Sequence, residues 1–497
     1  MVRRALLFIA LAVLALALLL IANTLRKQSK QLEVQPVARL QVDGDAAAQR
    51  LAESVRIRTI SYDERPDASA DEFVKLRAYL EQAFPRAHQA LQREVVAGHS
   101  LLYTWRGTDL GAKAIMLVAH QDVVPIAEGT EKDWEVDPFA GIVRDGFIWG
   151  RGAWDNKGNL LSMLEAIEAL VAQGFQPART VYLVAGHDEE LGGENGAKKV
   201  AELLATRDVK LEFVIDEGTL ITEGVIRGLD KPAALVGIAE KGIMTMALTA
   251  HDHPGHSSMP PRETAIGMLS DALARLERTP MPNAVSGVAA EMFDTLAPEM
   301  PWPNRVLLSN LWLFAPLIKQ QLEKDRSSNA LTRTTAALTV VRAGNKVNVV
   351  PAQAEGFVNV RILPGDTQED VLRHTETVVA NPAIKVRRSG FASEASPVSG
   401  TSSDAYRHVA TTIREVFPGT VVSPGLMVGA TDARHMQPLA EQVFRFSPVR
   451  ARENDLLRFH GTNERISINN YVEMITFYHR LIGAAAGRSA KNGVQQQ

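Results

Sequence analysis

The longest apolar run in the chain lies at its N-terminus. Residues 5–22 form an uninterrupted series of 18 apolar side chains, with Arg3 and Arg4 directly before it. At about 1.5 Å per helical residue this run spans roughly 27 Å, close to the thickness of a bilayer's hydrocarbon core. A cleaved signal peptide is the alternative, although its apolar region usually has only about 7–15 residues and ends at a small-x-small site. The run therefore predicts an uncleaved, single-pass transmembrane anchor.

The charges around this run bear on which side of the membrane the rest of the chain occupies. Arg26, Lys27 and Lys30 follow the run and nearly balance the two arginines before it, so the positive-inside rule alone does not decide. Translocation of the long C-terminal part is the simpler topology for so short an N-terminal stub. We therefore expect an extracytoplasmic body, either periplasmic or extracellular.

After a polar linker at 23–45, short apolar runs alternate with helical patterns. Residues 114–119 (AIMLVA), 181–185 (VYLVA) and 213–215 (within LEFVID) are typical of buried strands. Residues 160–172 have apolar side chains at helical spacing. Strands that alternate with helices predict an α/β domain with a mostly parallel sheet.

From residue 242 the pattern changes to strand–helix–strands–helix–strand, which predicts a smaller α+β domain inserted in the first as a lid. The middle of this segment, 280–335, is rich in proline and is predicted to be irregular. The predicted organisation is a transmembrane anchor (5–22), a linker (23–45), the first part of the α/β domain (46–241), the inserted lid of dimerisation type (242–392), the second part of the α/β domain (393–485) and a disordered tail (486–497).

Composition narrows the classes of function. Hydrophobic residues make up 46% of the chain and charged residues 22%, which is typical of a globular protein. The net charge of −3 argues against a nucleic-acid partner, because such proteins usually have a basic surplus. The chain has no cysteine, so any metal ion must be bound by His, Asp or Glu.

Ionisable residues follow three of the predicted strands. His120 and Asp122 follow the first, the run 187–190 (HDEE) follows the second, and Asp216 with Glu217 follows the third. Ligands bind at the carboxyl ends of strands in open α/β sheets, so these side chains are expected at one edge. Carboxylates crowded there repel one another unless cations neutralise them. The pattern predicts a pair of divalent metal ions.

Each of these residues has a simpler interpretation when it is considered alone. Asp155, in GRGAWDNKG just before a predicted helix, is equally well explained as a helix cap. His120 alone is more often a hydrogen-bonded core histidine, and Asp122, Glu189 and Glu190 are typical of a solvated loop. Their recurrence at strand ends, with the glycine-rich LGGENG after the glutamate pair, favours a metal site.

Nine segments in order resemble those of a known family over about residues 50 to 485. They are MLVAHQDVVP, WEVDPFAG, GRGAWDNKG, HDEELGGENGA, VIDEG, PGHSSMPP, NVVPAQAEGFVNVR, GATDAR and HGTNER. The chain resembles the co-catalytic zinc metallopeptidases that include aminoacylases, carboxypeptidases and desuccinylases. It is most similar to the branch of carboxypeptidase S and the secreted N-fatty-acyl-amino-acid hydrolase.

The resemblance implies a set of metal ligands. His120 and Asp216 would bind one zinc ion, Glu190 and His460 would bind the other, and Asp155 would bridge the two. The family pattern alone selects His460 among the 12 histidines of the chain. Cobalt and manganese are alternatives to zinc, because sites made of His, Asp and Glu also bind them.

The resemblance also implies catalytic and substrate-binding roles. Asp122 would orient the metal-binding imidazole, and Glu189 would be the general base for a water molecule activated by the two metals. His256 would stabilise the oxyanion, while Asn348 and Arg361 would bind the substrate carboxylate. In relatives this histidine reaches a neighbouring subunit's site, which makes a homodimer through the lid an open alternative to a monomer.

These inferences predict a di-metal amidohydrolase that cleaves an amide bond next to a free carboxylate. Its substrates would be small molecules such as N-acyl amino acids, or the C-terminal residue of short peptides. An aminopeptidase or desuccinylase activity on the same metal core is one alternative. A membrane-tethered binding protein without catalysis is another, which the intact Glu189 and ligand positions argue against.

Overall fold

The computed structural model describes residues 1–487, where helices and strands alternate along most of the chain. The α-helices are α1 (Val2–Arg26), α2 (Gly44–Val55), α3 (Ala70–Ala83), α4 (Pro85–Ala90), α5 (Lys157–Ala172), α6 (Ala197–Thr206), α7 (Ala265–Arg278), α8 (Gly287–Leu296), α9 (Trp302–Ser309), α10 (Leu311–Leu322), α11 (Arg326–Thr332), α12 (Gln368–Val379), α13 (Asp404–Val416), α14 (Ala433–Met436), α15 (Glu453–Leu456) and α16 (Ile468–Ala486). Short 3-10 helices lie at Pro66–Ser69, Glu131–Asp133, Glu189–Leu191, Ala297–Glu299 and Gln437–Leu439. The predicted disordered tail at 486–497 lies outside the described residues, apart from its first two.

The strands form one large sheet, a lid sheet and two small ones. They are β1 (Gln92–Val96), β2 (Ser100–Trp105), β3 (Ala114–His120), β4 (Ile142–Arg144), β5 (Phe147–Trp149), β6 (Val181–Gly186), β7 (Leu211–Glu223), β8 (Ala233–Glu240), β9 (Gly242–His251), β10 (Gly255–His256), β11 (Thr335–Ala343), β12 (Val349–Val350), β13 (Gln353–Ile362), β14 (Ile384–Ser393), β15 (Val421–Met427), β16 (Ala440–Arg452) and β17 (Arg465–Ser467).

The large sheet has eight strands in the order β1-β2-β6-β3-β7-β16-β8-β15. The pairs β6–β3, β3–β7, β7–β16 and β8–β15 are parallel, while β1–β2, β2–β6 and the short β16–β8 pairing are antiparallel. Because the central pairs are parallel, their carboxyl ends meet at one edge. The predicted α/β fold with a mostly parallel sheet is confirmed.

Strand β3 shows why these sequences form buried strands. Ile115 and Leu117 pack in the core formed with α2, α5 and α16, while Met116 and Val118 point to the other face, against α6 and α14. Because helices cover both faces, the strand is apolar at every position, as parallel strands usually are. This packing fixes the end of β3 at His120.

The lid has its own antiparallel sheet, in the order β11-β13-β9-β14. Alternate residues of β9 and β13 face α7 and α12, among them Met246, Leu248, Val358 and Val360. Apolar residues alternate with polar ones in these strands because helices cover only one face of the lid sheet. The predicted α+β lid sheet is present.

The segment 280–335 was predicted to be irregular, and this is wrong. It contains the helices α8 to α11, and Met292 and Phe293 of α8 pack with Ala233 and Val421 of the large sheet. Its prolines lie at helix starts or in loops, with the exception of Pro316 inside α10. Proline is tolerated in the first helical turn, so its frequency here marks short helices rather than irregular chain.

The chain between α1 and α2 contains no helix or strand, yet it is bound along the body. Gln31 exchanges two hydrogen bonds with the backbone of Val422, at 2.9 and 2.7 Å. Further along, Val37 N donates to Glu415 O at 3.0 Å. Leu32 and Leu40 pack against the main core. Although this segment is polar, it is therefore an ordered part of the structure and not a flexible linker.

Two adjacent segments connect the lid to the large sheet. Ser396 N donates to Glu240 O at 3.1 Å, and Glu240 N donates to Ser396 Oγ at 2.9 Å. A Cβ atom on Gly242 would lie 2.5 Å from Ala395 N, so only glycine allows this approach. Lys241, between the two domains, donates to Ala330 O and Arg333 O.

Candidate metal centre

The end of β3 supplies the histidine at the centre of the site. His120 is buried, and its Nε2 lies 3.1 Å from Asp155 Oδ1 and 3.2 Å from Glu217 Oε1. Its Nδ1 lies 3.0 Å from the Asp122 carbonyl oxygen and 3.3 Å from Asp122 Oδ1. Asp122 therefore orients the imidazole so that Nε2 faces the other carboxylates.

The 3-10 turn Glu189–Leu191, directly after β6, presents two neighbouring glutamates. Asp122 fixes this turn, because its Oδ1 accepts a hydrogen bond from Glu189 N at 3.2 Å and its Oδ2 accepts one from Glu190 N at 3.1 Å. Ser61 Oγ donates to the same Oδ2 at 2.6 Å. One buried carboxylate thus links the end of β3 to the turn after β6.

Asp155 lies between two histidines, in the loop before α5. Its Oδ1 contacts His120, and its Oδ2 lies 2.8 Å from Nε2 of His460. The His460 ring stacks on Phe459 with centroids 4.5 Å apart, and its Nε2 lies 3.5 Å from Glu190 Oε1. A carboxylate between two imidazoles has the position of a ligand that bridges two cations.

A buried ion pair that the sequence analysis did not select holds the loop of Asp155. Glu464 Oε2 lies 2.6 Å from Arg151 Nη1, and both side chains are almost fully buried. Glu464 Oε1 accepts hydrogen bonds from the backbone N–H groups of Gly152, Trp154 and Asp155 at 2.9–3.1 Å. Both charged residues lie in segments that carry the resemblance, GRGAWDNKG and HGTNER, but their spacing gives no sign that they pair.

The structure places Asp216 differently from the sequence expectation. Strand β7 was expected to end before Asp216, but it continues to Glu223. Both oxygens of Asp216 accept backbone hydrogen bonds, from Glu217 N at 2.8 Å and from Ala433 N at 2.7 Å. Glu217 Oε1 faces His120 Nε2 at 3.2 Å, while Asp216 is buried beside the same histidine, whose charge acts on its pKa.

The electrostatics of the cluster show an excess of buried negative charge. Burial, followed by the Asp155 carboxylate, raises the pKa of Glu217 to about 8. Burial also raises the pKa of Glu189 well above its ordinary value, against the opposing charge of His120. Burial lowers the pKa of His120, but Glu217 and the other carboxylates outweigh it and raise that pKa well above its usual range. Such a site favours bound cations.

The donor atoms fit divalent metal ions. The ligand atoms of His120, Asp155 and Glu190 lie within 4.8 Å of one another, and so do those of His120, Glu189 and Glu217. Glu190 Oε1 is buried, and its polar neighbour among residues 1–487 is His460 Nε2 at 3.5 Å, too far for a good hydrogen bond. A cation at this point would satisfy that oxygen, and a set of nitrogen and oxygen donors suits zinc, cobalt or manganese.

The three residues predicted to bind substrate lie on the lid, outside this cluster. His256 and Asn348 are both exposed and share one edge, because Ser257 N donates to Asn348 O at 3.1 Å.

Arg361, near the end of β13, is partly buried and has no carboxylate within 4.0 Å among the described residues. Burial and the nearby Arg434 guanidinium lower its pKa. A guanidinium without a carboxylate partner suits an anionic ligand.

Comparisons with known proteins find similar sequences over most of the chain. Residues 116–484 match the model of the peptidase family M20/M25/M40. A probable carboxypeptidase S-like protein of Dictyostelium discoideum is 40% identical over 479 residues, which cover 94% of this chain and 92% of the relative. An N-fatty-acyl-amino acid synthase/hydrolase of Danio rerio is 42% identical over 435 residues, which cover 86% of this chain and 84% of the relative.

Solved structures share the fold at lower identity. The metallo-carboxypeptidase Sso-CP2 of Sulfolobus solfataricus, an M20 family member, superimposes with a TM-score of 0.62 at 18% identity. The match covers 88% of this chain and 98% of the other. The large sheet and the lid are therefore a known architecture.

Proposed function

This chain belongs to the peptidase family M20/M25/M40, a family of metallopeptidases, and from that premise we propose that it is a di-metal amidohydrolase. It would cleave an amide bond next to a free carboxylate, in N-acyl amino acids or at the C-terminal residue of short peptides. The names of its relatives, carboxypeptidase S-like protein and N-fatty-acyl-amino acid hydrolase, describe these two substrate classes. The convergence of donors on His120 from three other segments of the chain, at Asp155, at the turn of Glu189 and Glu190, and at Glu217, carries the proposal.

We assign five residues as metal ligands. They are His120, Asp155, Glu190, Glu217 and His460, with Glu217 in the place first expected for Asp216. Two divalent ions bound here, zinc in our proposal and cobalt or manganese as alternatives, would lower the pKa of water and polarise the substrate carbonyl.

Glu189 is the proposed general base. It is next to the ligand Glu190 on the same turn, and its backbone is held by Asp122 at 3.2 Å. Its carboxylate would take the proton of the attacking water and then deliver it to the leaving nitrogen. Asp122 acts through its contacts, because it orients both the His120 ring and the glutamate turn.

The positive charges around the lid favour a substrate with a free carboxylate. Arg434 lies near enough to Arg361 to lower its pKa, and Arg361 in turn lowers the pKa of Lys241, which Asp366 raises. A carboxylate would neutralise this cluster and could accept two hydrogen bonds from Arg361. An aminopeptidase instead needs an anionic group for the substrate amine, so this cluster favours the carboxylate specificity. Asn348 and His256, on the exposed edge of the lid, would contact the substrate when the lid approaches it.

We propose that α1 is retained as a membrane anchor and that the body is extracytoplasmic. α1 is long and apolar enough to cross a membrane, a property that a signal sequence shares. Its end is bound to the folded body, because Asn310 Nδ2 donates to Leu20 O at 3.2 Å and Arg305 Nη2 donates to Lys27 O at 2.9 Å. A segment that is removed would have no need of such contacts. A homodimer through the lid remains an alternative to a monomer.

Substitution Glu189→Gln tests the mechanism. We expect kcat on an N-acyl amino acid to fall about 10²–10⁴-fold, because the base that accepts the proton is lost while the metal ligands remain. Metal content measured on the same sample should stay unchanged. The matched control is Glu194→Gln on the same segment, whose side chain pairs with Lys198 and should leave kcat unaltered. Equal activity of Glu189→Gln and the parent would refute the proposal.

A further inference from the structure

Helix α10 is apolar but buries none of its residues. Its sequence, LWLFAPLIKQQL, has a single charge, Lys319 in its last turn, and every residue is exposed or half-exposed. Trp312 and Leu317 are 59% and 55% exposed, and Leu313 between them is also exposed. Helices of globular proteins normally turn their apolar side chains to the core, so an exposed apolar helix indicates an interaction surface.

Helices α9 and α10 are attached to the end of α1 by a buried polar contact. Asn310, between the two helices, donates to Leu20 O and to Thr24 Oγ1, and its Oδ1 accepts from Asn23 Nδ2 at 3.1 Å. Thr24 and Asn310 are fully buried. α9 packs on α1, and the hydrogen bonds of Asn310 fix the start of α10 beside the end of α1.

This attachment fixes where α10 begins, at Asn310, relative to the apolar run of α1. The first partly covered residue of α1 is Ala17, and the apolar run ends at Ala22. At about 1.5 Å per residue, the contact overlaps the last ~8 Å of the run. Amphipathic helices that lie in a membrane interface are buried about 5–10 Å below its surface, so the two depths agree.

The side chains of this region match the chemistry of a membrane interface. Trp302 and Trp312 are both about half exposed, and tryptophan is enriched where hydrocarbon meets the head groups. Two basic residues that follow α1, Lys27 and Lys30, pair with Asp294, so their charges are partly neutralised within the protein. Apolar contact rather than head-group charge therefore dominates this surface.

We infer that α9 and α10 form a membrane-docking surface that lies in the interface of the bilayer spanned by α1. The inference rests on the proposed retention of α1 and not on the metal chemistry. A bilayer is the occupant because the neighbouring helix spans it at the same depth. The surface would hold the body against the leaflet in which an acylated amino acid is dissolved.

The absence of cysteine allows a direct test in the full chain. Leu313→Cys and Leu317→Cys are each labelled with a bimane fluorophore after reconstitution into phosphatidylcholine vesicles. Ile21→Cys in α1 is the membrane control, and Val347→Cys, fully exposed on the lid, is the aqueous control. We expect quenching at 313 and 317 by lipid-attached nitroxide, as at 21, and quenching by aqueous iodide only at 347.

Two results would overturn the inference. Strong iodide quenching at 313 and 317, equal to that at 347, would show that the surface faces water. Shielding from both quenchers would show that another copy of the chain covers it. Intact mass of the purified chain separates loss of α1 from failure of the docking surface, and neither readout depends on catalysis.

Discussion

At the scale of single residues, our proposal of Glu217 as a metal ligand in place of Asp216 is the point where the structure adds most to the sequence. Both follow the same apolar run, and the pattern that placed ionisable residues at strand ends included both. Which of two neighbours faces the site depends on the local turn of the strand, here on the two backbone hydrogen bonds that Asp216 accepts. The period of hydrophobic positions contains no information on that choice.

The assignment of Glu217 leads to a prediction on metal content. Glu217→Gln should lower the bound metal from about two ions per chain to about one, because a carboxylate ligand becomes a weak amide donor. Asp216→Asn should keep both ions but lower the stability, since its amide group would face a backbone N–H. Metal analysis of the two purified variants, with thermal unfolding alongside, distinguishes them. Loss of an ion from Asp216→Asn alone would reverse the assignment.

The buried Lys241 should make the stability of the protein depend on pH. Burial, with the neighbouring Arg361, lowers its pKa to about 7 from 10.5, while Asp366 acts in the opposite direction. Between these values the unfolded chain binds more protons than the folded one, so the free energy of unfolding should rise with pH. For one group the slope is at most about 1.4 kcal/mol per pH unit. Denaturation of the parent and of Lys241→Met at pH 7, 8 and 9 measures the difference between their free energies of unfolding. If that difference did not change with pH, the prediction would be wrong.

At the scale of elements, the sequence predicts a strand best where the burial of its two faces alone determines which positions are apolar. β3 and β6 are covered on both faces, so their apolar runs mark them from end to end, and β9 and β13 show the period of a half-covered sheet. The helices at 280–335 could not be found in this way, because they are short and their burial depends on β8 and β15, distant in the chain. No periodicity or spacing predicts His460 either, because it reaches the site from a loop near the C-terminus, and only the family resemblance selects it.

The stability of the loop before α5 should depend strongly on the side chain of Glu464. Glu464→Ala leaves Arg151 buried without a partner and frees three backbone N–H groups, so we expect a loss of about 3–5 kcal/mol of stability. Bound metal should fall as well, because the same loop presents Asp155. Glu464→Gln retains an acceptor for the N–H groups and should be milder. Thermal unfolding and metal analysis test both effects, with Glu453→Ala, at an exposed position, as the control. An unchanged melting temperature for Glu464→Ala would show that the prediction is wrong.

At the scale of the whole molecule, the retained anchor predicts where the protein is found. The full chain should stay in the membrane pellet after an alkaline wash, because hydrocarbon burial of α1 does not depend on charge. Protease added to intact cells or spheroplasts should digest the body. A soluble, secreted chain whose N-terminus begins after residue 22 would show instead that α1 is a signal sequence.

The bound segment between α1 and α2 has a consequence for how substrate is met. Gln31, Val37 and Leu40 are bound to the body, so with α1 retained as we propose, folded structure rather than a flexible linker would set the height of the proposed metal centre above the lipid. An amphiphilic substrate that diffuses within one leaflet would then meet the proposed centre at a constant height. Its search would be confined to two dimensions, at a fixed angle of approach.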